Sequence, residues 1–496
     1  MSAFWIVDQL IQQGVDQFCI SPGSRSTPLA LAVAEHPKAK SVVHFDERGI
    51  GFYALGYGMG AKKAAAVIVT SGTAVGNLMP SVMEANHSFI PMIVLSADRP
   101  SELRDCSANQ ASDQVKLFGH QVRWQCDLPA HGSETYFRTQ IAQATFYAAQ
   151  NPPGPVQINC QFQEPFYPLQ AEKRFGKRIE HHFPRLCPPI ESLRVNARRG
   201  LVVIGRLNQD PRPILEMAER LRWPVFADIL SQARLYPTQE QIVGFDAVLK
   251  RGCALEPDMI LYFGERLVSK SFYSWHPHIP ITHVSPYPVL QDPARRVRTR
   301  IQCDLELFCQ QFHAGQHDEK WLSEWQKLSM AKEEHPLKIP RDSAVFLGNS
   351  MPIRDADRGL YPEGAMGFYC NRGLSGIDGN IATAAGLAEG LQKPVVAWIG
   401  DQACLHDLNS LPLLKKGSFP VQLVVENNYG GQIFTRFPVS QSPHFEKFWL
   451  ASHQWGFAGI AQMFDLPFIK SETLPEERLE VSSMIEWTPA CSLSSL

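Results

Sequence analysis

One pattern recurs along the whole chain and limits what it can fold into. A short run of β-branched and apolar residues is followed by a Gly/Ser/Asn-rich turn, then by a stretch with helical spacing. Parallel strands need a crossover between them, and a helix supplies it, so this alternation builds parallel α/β sheets. In the first third the runs are Phe18-Cys19-Ile20, Val42-Val43-His44-Phe45, Ala66-Val67-Ile68-Val69, Met92-Ile93-Val94-Leu95 and Val156-Gln157-Ile158-Asn159. In the middle they are Leu201-Val202-Val203-Ile204-Gly205, Pro224-Val225-Phe226, Met259 to Gly264 and Ile281-Thr282-His283-Val284. The last third carries Ala344-Val345-Phe346-Leu347, Val395-Val396-Ala397-Trp398-Ile399 and Val421-Gln422-Leu423-Val424-Val425. We expect three doubly wound α/β domains with parallel sheets, over 1–180, 190–335 and 336–496. Two proline-containing, charged stretches, Glu164 to Ile190 and Lys320 to Arg341, read as linkers. The middle domain is poor in reactive polar residues and reads as mainly structural.

Charge narrows the function. The 47 Lys+Arg and 49 Asp+Glu nearly cancel, so no global basic field exists to hold nucleic acid or an anionic membrane. No apolar run reaches the roughly 18–20 residues of a membrane helix. Met1-Ser2-Ala3-Phe4-Trp5 has no basic leader region, so a cytoplasmic protein is expected. The 11 cysteines include no C-x-x-C pair and read as reduced, buried thiols.

In open parallel sheets, ligands bind beyond the carboxyl ends of strands. Gly400-Asp401 follows one strand, and Asn427-Asn428-Tyr429-Gly430-Gly431 follows another. The Asp401 carboxylate, the Asn428 amide oxygen and the Gly430 carbonyl would give a magnesium ion three hard oxygen ligands, with diphosphate and water completing its shell. The spacing resembles the cofactor motif of thiamine-diphosphate enzymes, with Gln402 where that motif has glycine. His44-Phe45-Asp46-Glu47-Arg48-Gly49 places Glu47 at the end of an apolar run and ahead of a glycine-rich helix from Gly49 to Gly60.

Further strings are Ser21 to Pro28, Thr70-Ser71-Gly72-Thr73-Ala74, Ala97-Asp98-Arg99-Pro100, Ala108-Asn109-Gln110, Gly348-Asn349-Ser350, Asn371 to Gly379 and Asn428 to Phe434. Together, in this order, they resemble the 2-succinyl-5-enolpyruvyl-6-hydroxy-3-cyclohexene-1-carboxylate synthases of menaquinone biosynthesis, a thiamine-diphosphate family. The resemblance covers residues 1 to about 465. It implies a transferase that uses thiamine diphosphate and Mg2+ or Mn2+ to decarboxylate 2-oxoglutarate and join the remainder to isochorismate. It further implies that Glu47 serves the coenzyme's aminopyrimidine ring and that Ile377 braces the bent coenzyme. Ser24, Arg25, Asn109, Gln110, Ser350, Arg354 and Arg372 would hold substrate, with Ile433 and Phe434 lining the pocket. One arginine among Arg295-Arg296-Val297-Arg298 would reach the site from the middle domain, and the chain would pair as a homodimer or homotetramer. The arginines suit this reading on their own chemistry, because both substrates are dicarboxylates and the guanidinium fork matches a carboxylate. His44 and His406 read as structural.

The pattern of the family ends near Phe468. Beyond it, Ser482 to Leu496 resembles neither the expected helix nor the expected closing strand. Two other functions compete: a different thiamine-diphosphate carboligase, such as an acetolactate-synthase type, and a catalytically silent homologue with a damaged C-terminus. A dinucleotide enzyme fits poorly, because Gly56-Tyr57-Gly58-Met59-Gly60 falls inside a helical stretch and its third glycine comes one residue early.

Overall fold

A computed structural model of the chain describes residues 2–167, 175–330, 337, 339–360, 364–473 and 480–488. Two compact units emerge. One is built from Met1–His182, Asn371–Ser471 and Leu479–Thr488, and the other centres on Phe183–Cys370. The residues expected as a third domain, 336–496, thus contribute to both.

The first unit opens with a parallel sheet of β1 (Gln17–Ile20), β2 (Lys40–Val43), β3 (Ala65–Val69), β4 (Met92–Asp98), β5 (Gln125–Leu128) and β6 (Pro155–Gln161). Its spatial order is β2-β1-β3-β4-β6-β5. Strands β1, β3, β4 and β6 are buried throughout, as their unbroken apolar runs require when both faces are covered. Phe4, Val7 and Leu10 of the helix Ser2–Gln12 share a core with Phe137 and Ile141 of the helix Glu134–Ala149. Part of the expected first linker is anchored to this unit. Gly176 N donates to Asp8 Oδ2 at 2.7 Å, Ile179 N donates to Gln13 Oε1 at 3.1 Å, and Phe175 packs edge-on against Phe4. Residues 168–174 of that stretch lie outside the described residues.

The second unit holds β7 (Arg194–Val195), β8 (Gly200–Ile204), β9 (Val225–Ala227), β10 (Met259–Phe263), β11 (Ile281–Ser285), β12 (Val297–Gln302), β13 (His313–Ala314), β14 (Ala344–Leu347) and β15 (Phe368–Tyr369). The main sheet runs β12-β11-β10-β8-β9, all parallel; β13 pairs with β7 and β15 with β14. The second expected linker is core in part. Trp321 and Trp325, one helical turn apart in Trp321–Leu328, are both buried against Phe226, Phe245 and Trp275. Charge and proline around them hid this i, i+4 apolar stripe. Arg296 donates to the carbonyls of Phe272 and His276 at 3.0 and 2.9 Å, so its guanidinium is spent on the fold of this unit.

The first unit closes with the parallel strands β16 (Val395–Gly400), β17 (Val421–Glu426), β18 (Phe468–Ser471) and β19 (Ser483–Trp487), in the order β16-β17-β19-β18. This corrects the reading of the tail. Ser483–Trp487 is a fully buried strand between β17 and β18, with Met484, Ile485 and Trp487 in the core. A five-residue strand has too short a period to stand out from sequence beside a long polar approach. Residues 474–479 and 489–496 lie outside the described residues. Cys106 and Cys187 are exposed rather than buried, and Cys491 lies outside the described residues.

The glycines of the helix Glu47–Ala61 serve packing. A Cβ on Gly56 would lie 2.0 Å from Thr383 O, and one on Gly386 would lie 1.9 Å from Tyr53 O. Gly60 and Gly390 are similarly close to the opposing backbone. The helices Glu47–Ala61 and Asn380–Leu391 therefore touch backbone to backbone, which only residues without a Cβ allow.

Candidate active site

Strand β16 ends at Gly400, and Asp401 opens the short helix Asp401–His406. The neighbouring strand β17 ends at Glu426, so the Asn427–Gly431 turn emerges beside it. The two turns meet. Asp401 Oδ1 accepts from Gln402 N at 2.6 Å, and Oδ2 accepts from Gly430 N at 2.9 Å. Burial raises the Asp401 carboxyl above the usual carboxylate range, while those two amides and nearby His453 pull the other way.

Asn428 Oδ1 is buried and has no hydrogen-bond partner. A buried oxygen of this kind costs on the order of 1–3 kcal/mol unless something fills its coordination, and a hard cation does so. Gly430, at φ 143°, brings the backbone close: a Cβ there would lie 2.6 Å from Leu450 O. Its carbonyl accepts from Gln432 N at 2.8 Å, which leaves one lone pair. Asp401, Asn428 and Gly430 thus stand together as a donor set that fits Mg2+ or Mn2+. Gln402 also has a structural role, since its side chain donates to Leu450 O at 3.1 Å, the same oxygen that accepts from Gly431 N.

Asp46 caps the helix Glu47–Ala61, accepting from Arg48 N at 3.0 Å, and this leaves Glu47 in the first turn. Glu47 is half-buried, and Asn77 Nδ2 donates to its Oε2 at 3.1 Å. His44 is buried with neither ring nitrogen hydrogen-bonded, and burial lowers its pKa to about 4, so it is a neutral packing residue. His406 is exposed, near Asp46, Asp378 and Asn409.

A second polar group gathers at the ends of β3 and β4. Gln110 Nε2 donates to Ser71 O at 2.9 Å, and Arg99 Nη1 donates to Gln110 O at 2.7 Å and to Ser71 Oγ. Arg25 is buried, with Nη1 on Phe162 O at 2.9 Å and its face over the Phe166 ring at 4.7 Å. Burial and the nearby Arg99 lower its pKa. Ser24 and Asn109 are exposed on the same unit. Arg372 and Ile377 lie in the Asn371–Gly379 loop of that unit, where Glu84 accepts from Gly373 N and Leu374 N at 2.7 and 2.8 Å. Ile433 and Phe434 sit half-buried just after the asparagine turn. Ser350, at φ 73°, and Arg354 belong to the second unit, where Arg354 Nη1 donates to Ser350 O.

Three contributors stand out only in the folded chain. Arg99 follows a strand end, which was its signal. Asn77 and His453 carried none, since only folding brings them to Glu47 and Asp401.

Residues 2–117 match the family of the thiamine pyrophosphate enzyme N-terminal TPP binding domain, and residues 185–338 match the middle domain of thiamine pyrophosphate enzymes. Proteins named 2-succinyl-5-enolpyruvyl-6-hydroxy-3-cyclohexene-1-carboxylate synthase are similar over almost the whole chain. The one from Salinibacter ruber is 36% identical over 94% of this chain and 88% of its own length. The one from Rubrobacter xylanophilus is 37% identical over 95% and 91%. That of Aeromonas salmonicida is 36% identical over 95% and 90%. The chain belongs to this synthase family of thiamine-diphosphate enzymes.

Proposed function

We propose that the protein decarboxylates 2-oxoglutarate and adds the remaining four-carbon unit to isochorismate, giving 2-succinyl-5-enolpyruvyl-6-hydroxy-3-cyclohexene-1-carboxylate. The observation that carries it is the buried Asp401 carboxylate beside the orphaned Asn428 oxygen, at strand ends whose spacing resembles the cofactor motif of thiamine-diphosphate enzymes. Asp401, Asn428 and the Gly430 carbonyl would hold Mg2+, or Mn2+ in its place, and with it the diphosphate. The chemistry supplied by bound thiamine diphosphate is an electron sink for carboxylate loss and a carbon nucleophile afterwards.

The chain's own residues do the rest. Glu47 holds a proton at its carboxyl for the aminopyrimidine ring, with Asn77 fixing the orientation of Oε2. Ile377 braces the coenzyme. Arg25, Arg354 and Arg372 neutralise substrate carboxylates, helped by Ser24, Asn109, Gln110 and Ser350. For Arg25 the exchange is easy, because its present acidic partner, Glu164 at 3.5 Å, is largely exposed. Ile433 and Phe434 keep water from the reacting carbon. In this reading residues 1–180 serve the pyrimidine, 190–335 form the central scaffold and 336–496 serve the diphosphate.

We take the working form to be a homodimer or homotetramer in the cytoplasm. Phe45, Tyr429, Phe448 and Trp455, in the site's own segments, are between 41% and 64% exposed, an apolar surface that a second copy would cover. The buried strand β19 supports this reading of the function over that of a catalytically silent homologue with a damaged C-terminus.

The test is thiamine diphosphate binding with and without Mg2+, then carbon dioxide release from 2-oxoglutarate, then product formation on adding isochorismate. Metal-dependent binding and a product that needs both substrates are expected. Release with pyruvate in preference to 2-oxoglutarate would point to the acetolactate-synthase type, and binding without release to a silent homologue.

A further inference from the structure

The proposal below rests on the metal reading of Asp401 and deepens it. His453 lies in the segment after Leu450, far from Asp401 in sequence, yet its Nε2 is 3.2 Å from Asp401 Oδ2, and both side chains are only 3% exposed. The ring is firmly placed. It stacks on Trp455 at 5.2 Å between centroids and 13° between planes, and it meets Tyr429 edge-on at 6.1 Å. Its backbone is tied to the asparagine turn, with His453 N donating to Tyr429 O at 3.3 Å.

The tautomer follows from the other nitrogen. Nδ1 accepts from Trp455 N at 3.3 Å, so in the neutral ring the proton sits on Nε2. That nitrogen lies 3.2 Å from Asp401 Oδ2, within ion-pair reach, and has no hydrogen-bond partner. Counting lone pairs then separates the two carboxylate oxygens. Oδ2 accepts from Gly430 N and has His453 Nε2 at 3.2 Å, in reach of its second lone pair. Oδ1 has only the Gln402 amide, so one lone pair remains.

We propose that His453 is a positioning residue that holds Asp401 Oδ2 through its Nε2–H and so presents Oδ1, together with Asn428 Oδ1, to the divalent cation. Gln402 supports the same device, because its bond to Leu450 O ties the metal turn to the segment that carries His453. A ligating group held by an outer partner commonly loses ten- to a hundredfold in metal affinity when that partner is removed.

Mn2+ binding to the full-length protein in the presence of thiamine diphosphate, read from the EPR signal of the free ion, tests this without turnover. His453→Phe keeps a stacked ring and removes the donor; it should weaken Mn2+ about ten- to a hundredfold. His453→Gln retains an N–H at a similar reach and should stay within about threefold of wild type. The thermal midpoint of each apo protein is measured alongside, and if His453→Phe does not fold, His453→Asn, whose shorter amide falls short of Oδ2, carries the same expectation. Wild-type affinity in His453→Phe overturns the proposal, and so does an equal loss in His453→Gln, which would make the ring's packing the relevant feature. Asp401→Ala separates the two levels of the argument: if it binds Mn2+ as tightly as wild type, the metal reading itself fails, whatever His453 does.

Discussion

Glu47 and Asp407 show how much a single carboxyl depends on what faces it. Glu47 accepts one bond from Asn77 and is half-buried. Glu47→Gln keeps shape and hydrogen-bonding reach but cannot share a proton as an acid. It should bind thiamine diphosphate with near wild-type affinity and lose about 10²–10⁴ in kcat, and unchanged turnover would remove Glu47 from the mechanism. Asp407 is buried under the start of the helix Asn380–Leu391, accepting from Ile381 N, Ala382 N and Ser410 Oγ at 2.8, 3.1 and 2.6 Å. Burial raises its pKa to about 6. The folded state therefore binds this proton more tightly than the unfolded chain. The stability linked to it is full below the unfolded value near 4 and is lost as pH rises toward 6. Asp407→Asn can still accept from Ile381 N and Ala382 N, and its amide N–H can donate to Ser410 Oγ, so three bonds persist without the charge. Urea unfolding at pH 7.5 should find it more stable than wild type by about 1–3 kcal/mol, with the gap closing by pH 4; a gap that widens in acid would reverse the assignment.

Among the elements, the helix pair Glu47–Ala61 and Asn380–Leu391 and the strand β19 carry the clearest consequences. Gly386→Ala would put a methyl 1.9 Å from Tyr53 O, and backbone cannot step aside as a flexible side chain can. It should cost about 2–4 kcal/mol and loosen the seating of the helix that begins at Glu47. Gly459→Ala, in a helix with nothing within 4 Å, should instead raise the thermal midpoint slightly. Calorimetry on both checks the contrast, and equal effects would show that the helices can part cheaply. Ile485 is fully buried in β19 between β17 and β18. Ile485→Ala should cost about 2–5 kcal/mol in the same experiment, and a neutral result would mean that the strand does not complete the sheet. Regular β-α alternation made most strands legible before folding. Strands β5, β7, β12, β13, β15, β18 and β19 were not, because they are short or mixed with charge, and their place comes from their neighbours.

For the whole molecule, the exposed apolar side chains around the asparagine turn make assembly testable. Phe448 is 64% exposed. If a second copy covers this face, Phe448→Glu should shift the protein to a smaller species in sedimentation at micromolar concentration, and an unchanged profile would put the contact elsewhere. The strand-end turns with Asp401 and Asn428, the Glu47 string and the arginine turns were readable in the linear chain, because metal, phosphate and carboxylate chemistry requires those residue types after strands. Folding alone decided which oxygen of Asp401 stays open, that Asn77 meets Glu47, that His453 meets Asp401 and that Ser483–Trp487 is core. Local pattern is written in nearest neighbours along the backbone, whereas these contacts join residues distant in the chain, whose meeting depends on how sheets and helices pack.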